Sequence, residues 1–257
     1  MSKGNLMKIA ITSVTVAVLL CFAGIPPQAY AQATFDQDLT IHETTTSPGM
    51  MGQPPRTVKS TVYMSHNAMK RVGSDGNESI VRFDQGKIIT INRPAKTYSE
   101  VTTAELQKMM DEGAAAMTKN KEQMEMVRKM MGQISDTITV TKEGPGEKIA
   151  GFDTVKYRIT GMMELEIWAA PDVKIPPLYF DSLKMQTPPN PIIDMRKLFD
   201  EFKKIDGLSL KTIMTFRMMN NEMKSTTVVD SIEKAPLDAA LFEPPAGFKK
   251  VAANLGK

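Results

Sequence analysis

Among 257 residues the sequence has one cysteine, Cys21, and it falls inside an apolar N-terminal run. With that run removed, the chain has no disulfide, no thiol nucleophile and no thiolate metal site. Histidines are as scarce: His42 and His66 lie in or beside strand-like sequence, without a cysteine or acidic residue at ligand spacing, and read as structural. Aromatic residues make up 6%, with Trp168 the only tryptophan. Charge excess is small. The formal net charge is +3, and loss of Lys3 and Lys8 with the N-terminal segment leaves 3 − 2 = +1. That balance excludes a basic nucleic-acid surface. G-x-S-x-G, H-E-x-x-H, Walker and EF-hand patterns are all missing, so no catalytic residue is assigned and no cofactor is expected.

The N-terminus carries a clear pattern. Lys3 and Lys8 precede the uncharged run Ile9–Gly24, Pro26 and Pro27 end it, and Ala29-Tyr30-Ala31 supplies small residues at the cleavage-determining positions, with Ala31-Gln32-Ala33 as a second choice. Residues 1–31 therefore read as a cleaved signal peptide and predict a periplasmic protein. The run is short of the ~20 residues that a spanning helix needs. Leu20, directly before Cys21, argues against a lipidated cysteine.

Methionine is plentiful, at 21 residues. Many lie in Thr102–Ile134, where Leu106, Met110, Met117, Met124, Val127, Met131 and Ile134 recur at three- and four-residue steps or their sums. That spacing predicts one long helix with an apolar stripe. Thr102 and Glu105 fit a capping box at its start. On either side the sequence is β-patterned. Before the helix, strands are expected from Phe35 to Ile41, Thr57–Met64, Met69–Val72, Ser79–Phe83, Lys87–Ile91 and Lys96–Val101, with a loop at Thr45–Pro55 and turns at Gly73–Asn77 and Asp84–Gly86. After it come Thr137–Thr141, Lys148–Ala150, Thr154–Thr160, Met163–Ala169 and a hairpin of Leu208–Met218 with Met223–Ile232. Leu178–Met185 and Ile192–Phe202 have helical spacing, and Leu237–Leu241 reads as a helical turn.

The fold class these elements predict is α+β. A curved antiparallel sheet, an incomplete barrel of about ten strands, is covered on its concave face by the long Met-rich helix and shorter helices. Residues 34–250 form one domain, with helix 102–134 between two β-halves and 251–257 as a tail.

Several local runs occur together: Asp75-Gly76-Asn77-Glu78-Ser79-Ile80, Lys96-Thr97-Tyr98, Ile149 to Tyr157, Trp168-Ala169-Ala170-Pro171-Asp172, and Ile232 to Phe248. With these the chain resembles an exported bacterial family catalogued as domain of unknown function 4412. More distantly it is similar to the periplasmic lipoprotein carrier and its outer-membrane receptor. The resemblance covers nearly all of the chain after the N-terminal segment. It implies an antiparallel, helix-lidded carrier fold with an apolar cavity for acyl chains, and it brings no matching functional residue with it.

The methionine stripe then admits three readings. It fills core; or Leu106, Met110, Met117, Met124, Val127 and Met131 line an adaptable apolar site; or the thioethers hold Cu(I). Against copper, Met124 and Met126 point to different faces of a helix. The expectation is a non-enzymatic binding or carrier protein for a lipid or lipoprotein acyl chain, monomeric, with transient membrane contact and no nucleic-acid partner. The alternatives are a structural or stress-related envelope protein with a filled core, and a Met-rich copper-binding protein.

Overall fold

The computed structural model describes residues 35, 37–48, 54–106, 108, 138–160, 164–176, 179, 201–218 and 221–253. They build one open sheet of twelve strands: β1 Leu39–Ser47, β2 Arg56–Met64, β3 Ala68–Gly73, β4 Glu78–Arg82, β5 Lys87–Asn92, β6 Thr97–Thr102, β7 Thr139–Pro145, β8 Val155–Thr160, β9 Glu164–Ala170, β10 Leu208–Met218, β11 Asn221–Lys234 and β12 Lys249–Lys250. The spatial order is β12-β6-β5-β4-β3-β2-β1-β11-β10-β9-β8-β7. Two meanders of consecutive hairpins are thus joined along a single seam, β1 against β11, by antiparallel pairing from Leu39↔Lys234 to Thr46↔Thr226. Every pair is antiparallel except β12 with β6. Threonine-, valine- and isoleucine-rich runs favour this pleated arrangement.

This corrects the predicted α+β class. The sheet has twelve strands rather than about ten and is open, with β12 and β7 at its two edges. No long helix covers a face among the described residues. Of the long helix, Thr103–Leu106 and Lys108 are described as helical, and the rest lies outside the described residues. The capping box at its start is formed: Glu105 N donates to Thr102 Oγ1 at 3.1 Å, and Thr102 N donates to Glu105 Oε2 at 2.8 Å. Of the shorter helices expected at Leu178–Met185 and Ile192–Phe202, Tyr179, Glu201 and Phe202 are helical and the rest lies outside the described residues. Val173, Ile175 and Tyr179 pack on the principal core cluster with Leu39, Ile41, Val62, Met64 and Val81. Phe202 and Ile205 pack on a second cluster with Tyr157, Ile159 and Ile167. Leu237, Leu241, Phe242 and Phe248 pack on a third, with Ile80, Ile89 and Ile91.

Successive strand residues face opposite ways. Ile80 belongs to the third cluster and its neighbour Val81 to the principal one, and Ile167 and Trp168 divide in the same manner between the second and the principal cluster. The sheet is therefore buried on both sides in places. At the start of β10, Gly207 has φ +89°, and a Cβ there would lie 1.9 Å from Ala170 O. Lys148–Ala150, expected as a strand, is reduced to one bridge, Ile149↔Phe152. Leu237–Leu241 becomes a 3-10 turn at Ala239–Phe242, capped by Asp238, whose carboxylate accepts from Ala240 N at 2.9 Å. Both edges are guarded against further pairing. β7 carries a bulge between Lys142 and Gly144 and ends in Pro145, while β12 is two lysines long.

Candidate functional site

On one face of β1 to β4, side chains change character along the strands. The register aligns Leu39 with Met64, and Ile41 with Val62, then Arg71, then Ser79. Two residues further along β1, Glu43 stands opposite Ser60. Leu39, Ile41, Val62, Met64 and Val81 are buried in the principal cluster, with Met69 packed against them. Glu43, Thr45 and Ser60 are just as buried but polar. Thr45 Oγ1 lies 3.0 Å from Thr227 Oγ1, which extends the hydroxyl band across the seam.

At the boundary sits an ion pair. Arg71 Nη2 is 2.5 Å from Glu43 Oε1, with side chains 22% and 0% exposed. Arg71 Nη2 also donates to Ser60 Oγ at 3.1 Å. Arg71 holds the Glu43 carboxylate by charge and by the close contact of Nη2 with Oε1, and neither oxygen has another hydrogen-bond partner among the described residues. Burial pushes the Glu43 pKa up, Arg71 pulls it down and Asp230 adds to the rise, leaving it above the ordinary glutamate value. Chemically, this is an amphipathic surface, apolar at one end and hydroxyl-lined at the other, with a partly exposed guanidinium between them.

Covering the apolar end is the segment that follows β9. It is tethered at Val173, which donates to Ala170 O at 3.1 Å and accepts from Leu208 N at 3.0 Å. Further along, Tyr179 meets Phe83 edge to face, ring centroids 5.8 Å apart at 81°. Where the chain enters β1 and leaves β11, a separate cleft of about 370 Å³ is lined by residues that include Phe35, Asp38, His66 and Lys234.

Of the sequence-predicted site residues, Leu106 lies in the described helical turn and is half-buried. Met110, Met117, Met124, Val127 and Met131 lie outside the described residues. His42 Nδ1 is 3.1 Å from Thr61 Oγ1, and its Nε2 is 3.9 Å from Glu233. No cluster of histidine, cysteine or carboxylate ligands occurs among the described residues. Trp168 is buried in the principal cluster, with Lys211 and Lys156 Nζ at 4.6 and 5.0 Å from its ring centre. Sequence reasoning missed the Glu43–Arg71 pair. Its signal was present: Leu39, Ile41 and Glu43 alternate, which places a carboxylate on the core-facing side of β1.

Residues 50–248 match the family described as Domain of unknown function (DUF4412). No curated protein matches the chain. Among solved structures, PNGF-II in a C2 space group aligns over 84% of this chain and 31% of its own, at 12% identity and a TM-score of 0.39. The chain thus spans about a third of the length of PNGF-II. A DUF1329 family protein from Desulfovibrio piger aligns over 80% of this chain and 90% of its own, at 9% identity and a TM-score of 0.30. A LolA superfamily protein from Nitrosomonas europaea aligns over 82% and 91%, at 6% identity and a TM-score of 0.33. At these scores the structural likenesses carry no argument about ligand or activity.

Proposed function

The chain belongs to the Domain of unknown function (DUF4412) family, and we propose that it is a non-enzymatic, exported binding protein for an amphiphile such as a lipid or a lipoprotein acyl chain. The observation that carries this reading is the sheet face that passes from Leu39, Ile41, Val62 and Met64 to Glu43, Ser60 and Arg71 within one strand register. An acyl chain fits the first group and a polar head the second. Uptake requires the Val173–Tyr179 cover to move aside. Its described residues Val173, Ile175 and Tyr179 belong to no strand and pack on the principal cluster, Val173 through two backbone hydrogen bonds and Tyr179 against Phe83. Export is supported by the N-terminal sequence pattern, and partners are then a lipid or lipoprotein met in the envelope.

Organic extraction of protein purified from the envelope, followed by mass spectrometry, tests the binding function. Co-purifying lipid at a fixed stoichiometry supports it. The intact mass of the same sample tests export, with a chain beginning at Gln32 or Thr34 expected. The Phe83–Tyr179 contact favours a second reading, an envelope protein whose interior is simply filled. Protein that carries no lipid and displaces no fluorescent fatty acid across a range of chain lengths favours that second reading.

A further inference from the structure

We propose that Arg71 holds the anionic headgroup, a carboxylate or a phosphate monoester, of the amphiphile taken up on this face; this rests on the binding function above. Three observations converge on that residue. First, its position: it faces Val62 on β2 and Ser79 on β4, so a chain lying over Val62, Met64 and Ile41 brings its head to the guanidinium. Second, its donors: a guanidinium has five N–H groups, and the contacts of Arg71 to Glu43 and Ser60 both run through Nη2. Neither Nη1 nor Nε donates a hydrogen bond among the described residues, so an anion can be accepted there without breaking the bond to Ser60. Third, its exposure: Arg71 is 22% exposed where Glu43 is fully enclosed, so the cation is the reachable half of the pair. Guanidinium is also the side chain best matched to planar oxyanions.

Glu43 has a second effect in this arrangement. Its carboxylate, 2.5 Å from Arg71 Nη2, repels an incoming anion. Glu43 therefore sets a threshold: it holds Arg71 in place but weakens the binding of charged heads relative to neutral ones.

The test displaces a fluorescent fatty acid with palmitate and, separately, with monopalmitoylglycerol, which has the same chain on an uncharged head. Inorganic phosphate and acetate serve as heads without a chain. Wild type is expected to prefer palmitate. Glu43→Gln, which removes the repulsion and keeps the shape, should raise that preference by roughly tenfold, the scale of one charge-assisted contact. Arg71→Gln leaves a buried carboxylate without its cation and is prone to misfold. The double variant Glu43→Gln/Arg71→Gln is therefore used, its fold checked by thermal melting, and its two affinities should become equal. Displacement by phosphate or acetate alone at comparable concentrations would mean a simple anion site and overturn the amphiphile assignment. Equal affinities in wild type, or a preference that Glu43→Gln leaves unchanged, overturn the headgroup role while binding itself stands. Failure of both lipids to displace the probe overturns the binding function and this proposal together.

Discussion

Lys70 Nζ lies 2.8 Å from the Glu78 carboxylate, with side chains 8% and 1% exposed. Arg93 joins from the turn after β5, Nη2 donating to the same carboxylate at 2.9 Å. This buried cluster lies beside Ile80 on the side of the sheet opposite the amphipathic face.

Burial alone would raise the pKa of Glu78, but hydrogen bonds from Arg93 and Lys70 outweigh it and hold the group below the ordinary glutamate value. A depressed folded pKa gives stability that is present above the unfolded value and lost as pH falls through the folded one. Wild type should therefore lose stability below about pH 4. Glu78→Gln should remove that part of the acid response and, by leaving Lys70 without a charge partner, lower stability at neutral pH by about 3–5 kcal/mol. Urea titrations at several pH values measure both effects.

Glu43 should behave in the opposite sense. Burial raises its folded pKa, so the native state takes up a proton more readily than the unfolded chain. Its contribution is most favourable below the unfolded pKa and declines as pH rises through the folded one. Glu43→Gln does not titrate. The stability of that variant relative to wild type is expected to climb with pH across this window and to be flat on either side. A flat difference throughout would show the carboxylate to be unperturbed.

Gly207 should tolerate no side chain. Its φ of +89° and the 1.9 Å approach of a built Cβ to Ala170 O are both backbone constraints, which no rotamer relieves. Gly207→Ala is expected to cost about 3 kcal/mol or more, seen as a fall in the thermal midpoint.

Trp168 offers an optical readout. A Cβ on Gly146 would sit 2.6 Å from Trp168 Cδ1 and 2.5 Å from Thr154 Oγ1. Gly146→Ala should cost about 1–3 kcal/mol by overpacking and move the tryptophan emission to the red as the ring is pushed out. Gly151→Ala is the control. It has φ +86° but nothing within 4 Å of a Cβ, so its backbone cost should leave the emission unchanged.

Strands were the legible part of this sequence, because alternation of β-branched residues survives wherever one side is buried. Ser79–Phe83 and Lys87–Ile91 were placed within one or two residues of β4 and β5. The turn at Gly73–Asn77 also forms: Gly76 has φ +84°, and Asp75 Oδ1 accepts from Asn77 N at 3.1 Å. β12 was not legible, since two exposed lysines carry no periodic signal and their pairing depends on the chain folding back to Thr97 and Tyr98. β1 was read too short, with Thr45–Ser47 assigned to a loop, because its pairing with β11 is not local. The covering role of the chain after β9 and of the 3-10 turn was not legible for a similar reason. Val173, Ile175 and Phe242 are buried by long-range packing, and the prolines around them conceal that role. For the candidate site, Glu43 on the inward side of β1 could be read from alternation, whereas its partner Arg71 required the β1–β2–β3 register.

The β1–β11 seam also bears on how the chain reaches this structure. Thr45 and Thr227, which meet across it, are 182 residues apart. Apart from β9 with β10, neighbouring strands within each meander pair across short connections at small loop-closure entropy, but the seam cannot begin to form until β11 exists. During synthesis or translocation β1 therefore waits as an exposed edge beside a finished β2, and its pairing completes the sheet late. The kinetic hazard of this protein is concentrated in that interval, when a nine-residue strand offers its open backbone to any other chain in the same state.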